Sequence, residues 1–412
     1  MKQTRTVFTI RSLAALFIGE TKYRRWLDTV RDVGFDAVAL DVIWQMVERE
    51  RGDFDFSLFD RLIGEVVRHG MGVQLKANTR LSPHWVSPKY AQRLCDGKTA
   101  RVREVFDRPA HTLADESLNG AMADFFHEIA RRYSSLPVVG IQPFFAYAFE
   151  SEYEFYQYAD YSRYSVRAFR RWLERRYRSP EALNWAWGTR YASFRRVPIL
   201  FDGACPDELP DTRAPFIDFM KYREDALRNF VDKMAKAVKS GGKNIAFAVQ
   251  VGLIFSPCAA RRGSVGVFYW GREADEIIVD PSPVDRVGFV ADSIRNSGKI
   301  RSVELEGPYV YRQHHRSVGR ACIEQAARAA RHGADRLYIA NYVGPQETAR
   351  YAKTLARVVE IFHSTRALKP SPETLFISKW DVYGRHENSI PAYNYTPPDG
   401  KPLSILTEDL LS

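Results

Sequence analysis

Short apolar runs alternate with stretches whose apolar side chains recur every third and fourth position, from near the N-terminus almost to the C-terminus. The first pattern is that of strands buried on both faces; the second is that of helices with one face on a core. The runs predict strands at Val7–Ile10, Ala37–Val42, Gly72–Ala77, Val138–Pro143, Ile245–Gly252, Val287–Ala291, Ile300–Glu304 and Leu337–Ala340. Between them, helical periodicity appears in Trp26 to Val33, Leu58 to Val67 and Ala326 to His332. Gly34 and Gly333 stand where a helix commonly stops in a left-handed residue.

Strand–helix alternation of this kind predicts a parallel sheet with crossover helices. Eight such units point to an α/β fold, a (β/α)8 TIM barrel. The main alternative is an open doubly wound sheet, but no glycine-rich phosphate loop follows any early strand. The longest connection, Pro180 to Pro215, follows the fourth unit and is expected as an insertion over the C-terminal face. The pattern changes near Ala367, so residues 1–367 are expected to form the barrel. Residues 368–412 are expected as a C-terminal extension or the start of an incomplete second domain.

Composition narrows the picture slightly. The 412 residues carry a net charge of +10 and 13% aromatic residues. A basic balance can signal nucleic acid, but here arginines are dispersed or sit in helical runs such as Arg170-Arg171-Trp172-Leu173-Glu174-Arg175-Arg176, which read as a solvated helix face. No nucleic-acid or membrane partner is expected. Cys95, Cys205, Cys258 and Cys322 have neither metal-ligand nor disulfide-framework spacing, and free thiols suit a cytoplasmic location, with secretion left open. Near the N-terminus, Lys2 and Arg5 before an apolar stretch vaguely resemble a leader, but Arg11 interrupts it and a first strand is the better reading. His314-His315 has no metal spacing, and no cofactor is expected.

The chemistry concentrates in two segments. One is Ile141-Gln142-Pro143-Phe144-Phe145-Ala146-Tyr147-Ala148-Phe149-Glu150-Ser151-Glu152-Tyr153, and the other is Ile300-Arg301-Ser302-Val303-Glu304-Leu305-Glu306. Both are strand-like runs ending in carboxylates. Delivered to one end of a barrel, two such groups are what glycosidic cleavage needs, one as acid and one as nucleophile or base. A single strand-end carboxylate would more simply be a loop charge or a salt-bridge partner.

Two longer stretches carry a family resemblance. Trp44-Gln45-Met46-Val47-Glu48-Arg49-Glu50-Arg51-Gly52-Asp53-Phe54-Asp55-Phe56 resembles the second-strand segment of glycoside hydrolase family 42, the β-galactosidase-like barrels. Phe169-Arg170-Arg171-Trp172-Leu173, Tyr177 and Leu183-Asn184-Trp185-Ala186-Trp187-Gly188-Thr189 are similar to a longer signature of that family, continued by Pro215 to Phe219 and by His332 to Asp335. The resemblance covers roughly residues 19 to 365. It implies a proton donor after the fourth strand, where Glu152 is the first choice and Glu150 the second. It implies a nucleophile closing the seventh strand, Glu304, with Glu306 as rival. The family's Asn before the donor is replaced by Ser151, and its four-Cys zinc site has no counterpart.

Glu152 is expected to hold its proton through burial among Phe144, Phe145, Tyr147, Phe149, Tyr153, Phe155 and Tyr156. Glu304 is expected to be ionised, with Arg11, Asn78, Tyr309, Arg312 or Asn341 as partners. Substrate contacts are expected from Trp44, Asn78, His84, Trp85, Tyr147, Tyr153, Trp270, Tyr309 and Asn341, though core packing or a satisfied loop position is an equal reading for several. A separation of about 5–5.5 Å between the carboxyl groups would mean retention, and roughly 6.5–9.5 Å inversion. The resemblance implies a retaining hydrolase of a β-linked, galactose-type sugar. The alternative is a carbohydrate-binding barrel that has lost catalysis; an aldolase or metal hydrolase would need a strand-end Lys or a His cluster.

Overall fold

The computed structural model describes residues 4–94, 96–100, 109–145, 150–153, 158–198, 213–252, 254–255, 259–280, 286–308, 318–340, 344–384 and 401–411. Eight parallel strands form the barrel: β1 (Thr6–Ile10), β2 (Ala37–Ile43), β3 (Gly72–Asn78), β4 (Val138–Phe144), β5 (Ala248–Val251), β6 (Glu276–Val279), β7 (Ile300–Glu306) and β8 (Arg336–Ala340). They pair in the order β4-β3-β2-β1-β8-β7-β6-β5. The remaining seam, between β4 and β5, is joined by a parallel bridge from Ile141 to Phe247. Above that bridge the Ser151 amide donates to the Gln250 carbonyl at 2.7 Å.

Seven of the expected strands are found within a few residues of their predicted bounds; the sixth is not. Val287–Ala291 lies in a helix, Val287–Ser293, and the sixth strand is Glu276–Val279. Its first residue is a buried carboxylate, which disguises the run as polar. Glu276 is held inside the barrel by Ser302 Oγ at 2.5 Å, Arg336 Nη1 at 2.6 Å and Tyr338 Oη at 3.0 Å.

Alternation along the strands sends every second side chain into the barrel. Apart from Glu276 and its partners, the lower interior is apolar, with Val7, Ala37, Ala39, Ala248, Ile278 and Tyr338 in one cluster. Above it the filling turns polar: Gln74, Lys76, Gln142, Gln250 and Glu304 are all buried. Outward-facing strand residues such as Phe8, Leu40 and Leu75 join the main core under the surrounding helices. The helix Glu20–Val33 buries Tyr23, Trp26, Leu27 and Val30, and ends at Gly34, whose φ of 102° needs a residue without Cβ.

The chain between β4 and β5 carries the inserted helices Arg163–Tyr177 and Pro180–Trp187 and the long helix Arg213–Gly241. Here the signature residues pack on one another. Trp187 Nε1 and Tyr177 Oη both donate to Asp218 Oδ2, at 2.9 and 2.5 Å, and Trp172 Nε1 donates to Asp225 at 2.6 Å. That motif is structural: it ties the insertion to the helix that returns the chain to β5.

Beyond the barrel, β9 (Thr374–Phe376) and β10 (Ser404–Leu406) form a parallel pair. The tail packs on the barrel through Ile377, Val382, Tyr383, Leu403 and Ile405, all part of the main core. Lys379 Nζ contacts Glu224 at 2.9 Å and Asp409 at 2.7 Å, and Tyr383 Oη donates to Glu224 at 2.5 Å. Among the described residues no helix is long and apolar enough to cross a membrane.

Candidate active site

The polar upper interior of the barrel leads into a cluster of carboxyl groups at its C-terminal end. Glu150 and Glu152 come from the segment that follows β4. Ser151, between them, is built into the barrel seam: its Oγ donates to the Pro143 carbonyl at 2.8 Å and accepts from the Gln250 amide at 3.2 Å. With the central residue of the triplet pinned, Glu150 and Glu152 both reach the guanidinium of Arg262, Glu152 through Nε and Glu150 through Nη2. Glu152 also accepts from the Gly252 amide at 3.3 Å.

Burial pushes the Glu152 carboxyl well above its usual range, with the nearby Asp280 charge adding to the effect. One guanidinium cannot neutralise every carboxylate around it, so desolvation keeps a proton within the group. Arg262 is itself lowered by burial to about 10, which leaves it charged at neutral pH.

On the other side, β7 supplies Glu304 and Glu306, two residues apart and therefore on one face. Glu304 is 4% exposed. Its Oε2 accepts from Gln250 Nε2 at 3.0 Å and lies 3.6 Å from Lys76 Nζ. Glu306 is less buried, and its Oε2 has no hydrogen-bond partner among the described residues. Burial, followed by the charges of Asp280 and Glu304, pushes it up to about 8, opposed by Arg11.

Asp280, the residue after β6, interacts electrostatically with Glu152, Glu304 and Glu306. Burial and then Glu304 raise it to about 7, against Arg262 and Lys76. Asp41, from β2, is also raised by burial and lies 3.9 Å from Arg11. Asp280, Asp41, Lys76, Gln250 and Arg262 were not among the expected site residues. For Asp280 the signal was a carboxylate at the end of an apolar run, Ile277-Ile278-Val279, hidden when the sixth strand was sought further on. Lys76 and Gln250 were visible as polar residues inside otherwise apolar strands.

Several expected substrate contacts sit elsewhere. Trp44 is fully buried, stacked 6.0 Å from Phe125 and hydrogen-bonded to Glu48 at 2.5 Å. Trp270 is equally buried, donating to the Gly263 carbonyl at 2.8 Å. Both are core residues, because each indole N–H finds its acceptor within the packing. Tyr153 is buried too, under the Arg223 guanidinium at 4.3 Å, and donates to the Arg223 carbonyl. Phe145 packs edge-on to Phe230.

Asn78 ends β3 and accepts from the Leu81 amide at 3.2 Å, shaping the turn that follows. Trp85 is half-buried and donates to the Glu48 carbonyl at 3.1 Å, while His84 is exposed, 3.2 Å from Gln45. Tyr147, Phe149, Phe155, Tyr156, Tyr309, Arg312 and Asn341 lie outside the described residues, as do Cys95, Cys205 and Cys258. Among the described residues no group of His, Cys, Asp and Glu could hold a metal ion.

Comparison with known proteins adds an independent finding. The model of a family described as β-galactosidase, glycoside hydrolase family 42, matches residues 19–345. The β-galactosidase BbgII of Bifidobacterium bifidum is 27% identical over 175 residues, 40% of this chain and 24% of that protein. The β-galactosidase bgaB of Geobacillus kaustophilus is 21% identical over 290 residues, 68% of this chain and 40% of that protein. The chain thus spans less than half the length of these two relatives. In fold it is similar to the β-galactosidase of Bacillus circulans sp. alkalophilus, with a TM-score of 0.73 at 14% identity, covering 98% of this chain and 65% of that one. It is also similar to the catalytic domain of a β-amylase from Paenibacillus polymyxa, with a TM-score of 0.66 at 13% identity, covering 86% of this chain and 98% of that one.

Proposed function

The chain belongs to glycoside hydrolase family 42, the β-galactosidase family, and we propose on that footing that it hydrolyses a β-linked, galactose-type sugar by two displacements. Glu152 protonates the glycosidic oxygen while Glu304 attacks the anomeric carbon. The bond to the leaving sugar breaks, and a covalent glycosyl-enzyme forms. Glu152, now a base, takes a proton from water, which releases the sugar with its configuration retained. Glu306 is the rival nucleophile and Glu150 the rival acid.

One observation carries this reading. Carboxyl groups from the segment after β4, from the residue after β6 and from the end of β7 are in electrostatic reach of one another, and burial pushes up those of Glu152, Asp280 and Glu306. Beside them Glu304 has a cation, Lys76, within 3.6 Å. A protonated acid and a charge-paired carboxylate in one barrel mouth are the two roles that glycoside cleavage requires. We place the activity in the cytoplasm, and we read residues 368–412 as an extension docked on the barrel.

The test is hydrolysis of an aryl β-galactoside. Glu152→Gln and Glu304→Gln should each lower kcat by about a thousandfold or more. Azide added to the Glu304→Gly variant should yield a glycosyl azide of inverted configuration. Full activity in Glu304→Gln with loss in Glu306→Gln would move the nucleophile to Glu306.

A second reading is a carbohydrate-binding barrel without turnover. It is favoured by the Arg262 clamp on both Glu150 and Glu152 and by Ser151 in place of the family's Asn. Sugar binding by calorimetry, with no hydrolysis in the wild-type protein, would establish it.

A further inference from the structure

We propose that Lys76 and Gln250 are positioning residues for Glu304, with Lys76 setting the direction of a chain of three glutamine amides that ends on the Glu304 carboxylate. The kinetic consequence rests on Glu304 being the nucleophile; the structural claim stands without it.

The geometry permits one direction. An ammonium can only donate, so the Gln250 atom 3.2 Å from Lys76 Nζ must be its oxygen. That turns Gln250 Nε2 onto Glu304 Oε2, at 3.0 Å. The Gln142 atom 2.7 Å from the same Gln250 oxygen must then be a nitrogen, which leaves Gln142 Oε1 to accept from Gln74 Nε2 at 3.2 Å. Gln74, Gln142, Gln250 and Glu304 come from β3, β4, β5 and β7, so the chain crosses the interior of the barrel.

All five side chains are at most 4% exposed. At that depth electrostatic preferences are sharpened and a wrongly oriented amide is costly. Flipping Gln250 would set its N–H groups against Lys76 and its oxygen against a carboxylate, two repulsions at once. Each amide that donates towards Glu304 also polarises the next. Without Lys76 only the Glu304 carboxylate opposes a flip of Gln250, one repulsion in place of two, and Glu304 loses its nearest cation.

The proposal orders three variants. Glutamate labelled with 13C at its side-chain carboxyl gives a Glu304 resonance, identified by its disappearance in Glu304→Gln. This resonance should shift clearly from its wild-type position in Lys76→Met, shift less in Gln250→Met, and stay in place in Gln142→Leu, which keeps both groups that touch Glu304. With an aryl β-galactoside, Lys76→Met should lower kcat about ten- to a hundredfold while KM changes by less than about threefold.

Folding of each variant is checked by circular dichroism, and Gln250→Met carries the decision should Lys76→Met not fold. A Glu304 resonance unmoved in the folded variants would overturn the proposal. So would an effect of Gln142→Leu as large as that of Lys76→Met, the mark of general loosening of the interior. A wild-type protein without turnover would instead overturn the hydrolase reading, and the resonance would still decide this one.

Discussion

Arg262 occupies the space that a side chain at position 252 would fill: a Cβ built on Gly252 would lie 2.3 Å from the guanidinium carbon. The close approach lets Arg262 lie flat over the end of β5, where it reaches Glu150 and Glu152 together. Gly252→Ala should therefore dislodge the guanidinium and leave the buried Glu150 and the proton-bearing Glu152 without their shared cation. A loss of about 3 kcal/mol is expected, in the range for a broken buried ion pair. Urea unfolding measures it; a variant of wild-type stability would mean that the clamp is easily rearranged.

The raised carboxyl groups predict how stability varies with pH. In the unfolded chain Asp280 and Glu306 lose their protons near about 4, whereas in the fold they hold them to about 7 and about 8. Between these limits the folded state binds more protons, so raising the pH weakens the fold progressively until both groups are ionised. The unfolding free energy from urea titrations should fall between pH 5 and 8 by an amount on the order of a few kcal/mol. In Asp280→Asn the decline should be shallower, and identical profiles for variant and wild type would refute the coupling.

The tail offers a separate test. Lys379→Met leaves Glu224, 3% exposed, without its cation and should cost about 3–5 kcal/mol. Tyr383→Phe removes one hydrogen bond to the same carboxylate and should cost about 1.5–3 kcal/mol. Limited proteolysis should release the tail earlier in both variants, and earliest in Lys379→Met.

Cys322 is fully buried, and burial pushes its thiol up to about 12. The reactive thiolate is thus suppressed at neutral pH. Peptide mapping after maleimide treatment should find Cys322 unmodified in the native protein and modified in urea. Labelling of Cys322 under native conditions would show that the helix Val318–Arg331 opens readily.

Most of the barrel was legible because a fully buried parallel strand must be an apolar run. Leu337 to Ala340 and Ala37 to Val42 could hardly be anything else. Glu276–Val279 escaped because its first side chain is a carboxylate, and its apolarity resumes only after a network across three strands has satisfied that charge. The Val-Gly-Phe-Val-Ala run that drew attention instead is helical, and five residues are too few to display a period. Misplacing that strand concealed Asp280, a carboxyl in reach of both arms of the candidate site. The tryptophans show the opposite limit: Trp44 and Trp270 have the chemistry of sugar-stacking residues, and only packing reveals that their indoles are spent on Glu48 and Gly263. Glu304 and Glu306 could be named as a pair because period-two alternation sets them on one face. Separating them needed Lys76 and Gln250, brought close from β3 and β5.

Ser151 gives the cylinder a dependence that a continuous ladder would not have. Its amide and hydroxyl stitch β4 to β5, and its two neighbours are the glutamates held by Arg262. Placement of the acids and of the upper part of the seam therefore rests on one residue. Displacing Ser151 would loosen the wall above the Ile141–Phe247 bridge in the same stroke that misplaced the carboxyls.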